Sequence, residues 1–159
     1  MLIEEAEMVL DNDYYSDNCH PVEVLEELRG KLQKMEKELP MDLNTIDTKT
    51  YLLELQNGLS KAISAQAMSK KYGAATARKI MAGKYEIGMS KEMVEVAFKN
   101  QKISILSFYK KSISASSETW SFDWSLARAY GMTSQSLALA GVDYPTLVSR
   151  NGKLTDIIR

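Results

Sequence analysis

The spacing of apolar residues in this chain changes period partway along, and that change limits the folds open to it. Leu25, Leu28, Leu32, Met35 and Leu39 recur every three or four residues, which lays their side chains in one stripe along an α-helix. Leu52, Leu55, Leu59 and Ala62 repeat the pattern. Beyond Asn100 the period falls to two. Ile103 and Ile105 alternate with Ser104, while Trp120, Phe122 and Trp124 alternate with Thr119, Ser121 and Asp123, as half-buried antiparallel strands do. Helices gathered first and strands gathered last predict an α+β fold, with an N-terminal helical hairpin and further short helices ahead of an antiparallel β-meander.

Local signals fill in this outline. Residues 2–10 suit a short helix, and Asp11 to Asn18 form an acidic, turn-rich break. The DNDYYSD run within that break has the acids of a calcium loop. It has Tyr15, Ser16 and Val22 where such a loop needs an oxygen ligand, a glycine and a glutamate, so it reads as a solvated loop. Pro21 suits the first position of a helix running to Pro40. Asp47 is placed to cap the second long helix. The two leucine stripes, joined by the short loop PMDLNTID, predict an antiparallel helical hairpin, with Ala62, Ala65 and Ala67 permitting close approach at its far end.

From Lys70 the chain reads as a helix end, a break at Gly83, a short extended piece Tyr85 to Ile87, and a helix capped by Ser90. Glu92 falls in that helix's first turn, and Met89 and Val94 stand at the hydrophobic-staple positions. KSISASSE reads as a loop between strands. Asn151-Gly152, flanked by YPTLVSR and KLTDIIR, is a two-residue hairpin signal, because both central residues of a type I′ turn need positive φ. Residues 125–142 fit either a hairpin turning at Gly131 or a short helix and loop. The change of character divides the chain into a helical region, 1–68, and an α+β domain, 69–159.

Composition removes several kinds of chemistry. A chain of 159 residues is the size of one domain with a helical extension, and no apolar run approaches the roughly 20 residues that span a bilayer. One Cys forms no internal disulfide, and one Cys with one His supplies no closed zinc site, so neither a metal nor a cofactor is expected. Cys19 and His20 are chain neighbours, poorly placed to act as nucleophile and base, and no glycine-rich phosphate loop or H-E-x-x-H motif occurs. An enzyme is not expected. The acidic N-terminus lacks the positive start and apolar core of a secretory signal. Ser16, Asp17 and Asn18 before Cys19 do not suit a lipid anchor. As written, the chain reads as cytoplasmic, and an envelope location would require a signal upstream of it.

The stretch from about Tyr72 to Arg159 resembles the SmpA/OmlA, or BamE-like, family of small outer-membrane lipoprotein domains. The resemblance rests on four features in the family's order. They are the I-x-x-G-K step at Ile80 to Lys84, I-G-M-S-K-E-M-V at Ile87 to Val94, E-x-W at Glu118 to Trp120, and N-G-K-L-T at Asn151 to Thr155. The chain departs from the family at Phe98 to Gln101, where a Trp-Gly-x-Pro or Leu-Gly-x-Pro turn is usual, and at 125–142, which reads as an insertion. The resemblance implies two helices on an antiparallel sheet and a protein-binding module, a fold shared with β-lactamase inhibitor proteins that use an open sheet for recognition.

On that basis Tyr109, Trp120 and Trp124 are the candidate anchors for a protein partner, since aromatic residues dominate interface energetics. The ordinary alternative places Trp120, Phe122 and Trp124 on the core face. A second reading is nucleic-acid binding, because residues 70–111 hold ten Lys or Arg against three acids, with Tyr72, Tyr85, Phe98, Phe108 and Tyr109 interleaved. Against it, residues 1–40 hold 11 acids against 4 bases, so the acidic head and basic body offset one another in a chain of net charge -1. The basic run also contains no nucleic-acid-binding motif. The expectation is a non-catalytic protein-interaction module.

Overall fold

The computed structural model describes residues 1–16 and 19–159, and the chain forms two compact units, Met1–Arg78 and Lys79–Arg159. The architecture is α+β. Residues 68 and 69, where the composition changes, lie inside a helix that continues to Tyr72.

The first unit is built on three helices, α1 (Leu2–Leu10), α2 (Val22–Glu38) and α3 (Ile46–Tyr72). The leucine stripes meet as their spacing requires. Leu25, Leu28 and Leu32 of α2 are buried against Leu52, Leu55, Leu59 and Ala62 of α3, and α1 adds Ala6 and Val9. Met35 and Leu39 pack partly buried at the edge of this core. Where α1 ends, Leu10 lies over Gly58, and a Cβ there would sit 3.1 Å from its methyl carbons. Ala62 and Ala65 are buried, whereas Ala67, two residues further round the helix, faces solvent.

Helix boundaries follow local chemistry. α2 stops at Glu38 because Leu39, preceding Pro40, is driven to an extended conformation with ψ 135°. α3 begins at Ile46, ahead of the start that a cap at Asp47 would give. The Asp42 carboxylate accepts the N–H groups of Asn44 (2.8 Å) and Thr45 (3.1 Å) and closes the loop there, so Thr45 takes the capping position and Asp47 falls in the first turn. There its charge still complements the helix dipole. Of the acidic break, Asp13 accepts the Tyr15 N–H in a tight turn, and Asp17 and Asn18 lie outside the described residues.

α4 (Ala74–Met81) carries the chain into the second unit, where a turn at Gly83 (φ 72°) leads to α5 (Lys91–Lys99). Ser90 caps α5 by accepting the Met93 N–H at 3.2 Å, and Met89 and Val94 are both buried as a staple requires. The step into α5 is also tied to the sheet, whose last strand is β4 (Lys153–Ile158): Gly88 N–H donates to Leu154 O and Leu154 N–H to Met89 O, each at 2.8 Å. That pairing falls on Gly88 to Ser90, and Tyr85 to Ile87 lies in no strand.

The sheet runs β1 (Tyr109–Ile113), β2 (Ser117–Phe122), β3 (Thr146–Arg150), β4, all antiparallel and in chain order. Ile103 to Ile105 is not a strand. Ile105 is fully buried at the entry to a 3₁₀ turn at Leu106–Phe108, and its carbonyl accepts the Phe108 N–H, so the two-residue spacing there marks a turn. KSISASSE is mostly strand, with only residues 114–116 turning between β1 and β2. Trp124 does not continue β2. Asp123 accepts the N–H groups of Ser125 and Leu126 and opens α6 (Trp124–Ala129). Residues 125–142 form no hairpin but the rest of α6 and then α7 (Ser134–Leu139), the latter held by a capping box between Thr133 and Ser136. β3 and β4 turn through Asn151 (φ 50°) and Gly152 (φ 78°), the expected type I′ geometry.

The register sorts the faces. Lys111, Trp120, Leu147 and Ile157 stand side by side across the four strands, and Ser112, Thr119, Val148 and Asp156 form the adjacent row on the opposite face. α5 covers the Trp120 face, since Lys91 reaches Glu118 (2.5 Å) and Glu95 reaches Lys111 (3.0 Å). Phe98 of α5 is fully buried at the centre of this core.

Candidate interaction surface

The three aromatic candidates take different positions in the second unit. Trp120 is 2% exposed on the helix-covered face, and its indole Nε1–H donates to Glu118 Oε1 at 2.6 Å. Tyr109, at the start of β1, is also buried and donates its hydroxyl to Pro145 O at 2.7 Å. Burial, with the neighbouring Tyr85 phenol and the Asp143 carboxylate acting in the same direction, pushes its phenol far above the ordinary tyrosine range, so it remains a neutral donor. These two residues are core. The open face holds Lys110, Ser112, Thr119, Ser121 and Val148, short or charged side chains with no ring among them.

Trp124 is the candidate that reaches the surface. Its ring stands edge-on to Phe122 (4.9 Å) and Tyr144 (5.0 Å), and the Arg128 guanidinium lies 5.7 Å from its centroid. The i, i+4 spacing on α6 brings Trp124 and Arg128 together. Behind it a chain of ring contacts runs inward from Phe122 to Tyr109 (5.6 Å), Phe98 (5.4 Å) and Tyr85 (5.0 Å), and a branch runs from Phe108 to Tyr130 (5.9 Å). Such pairs add about 0.5–1.5 kcal/mol each beyond area burial. The surface rings are thus rooted in the core and presented rigidly. Tyr130 is 74% exposed and Tyr144 37%, and Leu126 of α6 is also exposed.

The sequence reading missed Arg128 and Tyr144. The available signal was the Asp123 cap, which turns Trp124 from a strand residue into a helix residue and Arg128 into its neighbour.

Glu118 is a buried carboxylate in the covered face, and hydrogen bonds from Lys91 and then Trp120 hold it below the usual carboxylate range. The basic run 70–111 is dispersed. In the second unit Lys79 pairs with Glu86, Lys91 with Glu118, Lys110 with Asp123 and Lys111 with Glu95, while Phe98, Phe108 and Tyr109 are buried. In the first unit Cys19 is half-buried and His20 exposed, its carbonyl accepting from buried Gln66 at 2.5 Å. Among the described residues no group of three His, Cys, Asp or Glu is placed to hold a metal, and no helix is long and apolar enough to cross a membrane. Comparison with protein-family models, with curated proteins and with solved structures finds no match for this chain.

Proposed function

We propose that this chain is a non-catalytic protein-interaction module whose partner docks on the surface formed by Trp124, Arg128 and Tyr144. The observation that carries this reading is the rooted aromatic cluster. Trp, Tyr and Arg are the residues that most often dominate binding energy, and rings already fixed by core contacts lose little freedom on docking. The non-catalytic part rests on the chemistry of the groups present. A general base works near neutral pH, whereas Glu118 is held in the opposite direction. The chain's one imidazole belongs to His20, which directly follows Cys19 and faces solvent, a poor placement for activating the thiol.

Nucleic-acid binding is the second reading. It is favoured by the excess of Lys and Arg over residues 70–111 and weakened by the pairing of Lys79, Lys91 and Lys111 with carboxylates and by the burial of Phe98, Phe108 and Tyr109. Membership of the SmpA/OmlA family is likewise a proposal, supported by where its motifs fall. I-G-M-S-K-E-M-V opens α5 and ties it to β4, E-x-W lies in β2, and N-G-K-L-T makes the last hairpin.

The test is retention of lysate protein by the tagged chain at low and high salt, compared with Trp124→Ala and with Tyr144→Ala, the latter changing an exposed side chain. The module reading expects one protein retained at high salt and lost in both variants. Retention that ignores both substitutions would overturn it, and nucleic acid released by salt would move the second reading forward.

A further inference from the structure

A second site, separate from the aromatic surface, lies where α4, α5 and α7 end. A cleft of about 660 Å³ opens there, walled by residues 82–85, 100–102 and 140–143 and by Arg159. This volume is within the roughly 300–1,000 Å³ of small-molecule sites. The helices stop at Met81, Lys99 and Leu139, so the negative ends of their dipoles lie at the rim, while the carbonyls of Ile80, Phe98 and Leu137 already accept N–H groups from the turns that follow.

Lys84 and Lys102 stand exposed on this rim and pair with no carboxylate among the described residues. Arg159 and Asp143 pair across it at 2.7 Å. Tyr85 lies against Phe98 with ring planes 23° apart, and its phenol is pushed up to about 12, first by burial and then by Asp143. It is therefore a neutral donor at ordinary pH. Gln101 closes one wall by donating to Gly83 O at 3.1 Å, and a Cβ on Gly83 would stand 2.8 Å from its Cγ. That arrangement leaves Gln101 Oε1 buried without a donor.

We propose that this cleft binds a small ligand with one carboxylate, an N–H donor and a flat apolar body, supplied either as a free N-acyl amino acid or as the carboxyl end of a peptide. Lys84 and Lys102 meet the carboxylate. Asp143 accepts from the N–H group, and Tyr85 and Val142 receive the apolar body. Three helix C-termini at the rim make a doubly charged phosphate a poorer fit than a singly charged carboxylate. The site does not depend on whether a protein docks at Trp124.

The experiment is an amide NMR titration of the full chain with N-acetyl-phenylalanine, its carboxamide, and the tripeptide Ala-Ala-Phe with a free carboxyl end. The acid shifts the amides of Lys84, Tyr85, Lys102 and Val142 with a Kd of about 1 mM, and the carboxamide binds about tenfold more weakly. K84M/K102M weakens the acid about tenfold with the rest of the spectrum unchanged. Tighter binding of the tripeptide than of the acyl amino acid assigns a peptide end, and the reverse assigns the free acid. Equal binding of acid and carboxamide, or no shift of these amides at roughly 20 mM acid, overturns the proposal.

Discussion

Removing the Glu118 side chain separates two contributions that meet at one carboxylate. Its Oε1 accepts the indole N–H of Trp120 at 2.6 Å, and Oε2 accepts from Lys91 at 2.5 Å. Trp120 is 2% exposed, so in Glu118→Leu its N–H is left in the core without an acceptor, at a cost of about 1–3 kcal/mol. Lys91 has a side chain 42% exposed, and its ammonium rehydrates, so that half of the contact adds only about 0–1 kcal/mol. Glu118→Gln keeps a carbonyl acceptor for the indole and loses only the charge, which predicts a cost of about 1 kcal/mol.

Urea unfolding followed by tryptophan fluorescence reads this directly, because both tryptophans lie in Lys79–Arg159. The glutamine variant should retain at least half of the stability that the leucine variant loses. Equal losses in the two would show that the charge, and not the indole hydrogen bond, holds the site, and the reasoning would be wrong. The pH dependence has a fixed sign. The Glu118 carboxyl is held below its ordinary range first by Lys91 and then by Trp120. Its contribution is therefore present above the ordinary carboxylate pKa and is lost as pH falls through the lowered value. The gap between the native chain and Glu118→Gln should narrow in that acid window.

Three further outcomes test the fold. Gly30 is exposed in the middle of α2 with nothing within 4 Å of where an alanine Cβ would stand, so Gly30→Ala should stabilise the first unit by about 1 kcal/mol in circular-dichroism melts. Ser90→Ala removes the acceptor for the Met93 N–H and should cost about 1 kcal/mol by fluorescence-detected unfolding; no loss would discount the cap. Phe98→Ala leaves Tyr85 and Tyr109 without their shared ring contact in a fully buried position. A loss of about 3–5 kcal/mol is expected, and a loss near 1 kcal/mol would place Phe98 outside the core.

What the sequence determined by itself was whatever depends on short-range geometry. The leucine stripes of α2 and α3 follow from helical spacing, the Ser90 cap from a hydroxyl within reach of the Met93 N–H, and the last hairpin from two residues that accept positive φ. The α+β order follows from the change of period. Expectation and structure part where the same local spacing has two outcomes. Ile103 and Ile105 are two apart in a turn as they would be in a strand, and the alternation through Trp124 breaks because Asp123 finds helical N–H groups to accept. Which rings face outward was decided only by tertiary structure. Trp120 and Trp124 are both large and apolar, and an even number of residues apart; one is buried because α5 covers its face, and the other reaches the surface because its backbone has turned into α6. The cleft is likewise tertiary, since Lys84, Lys102 and Arg159 share it only after three helix ends and the last strand have been brought together.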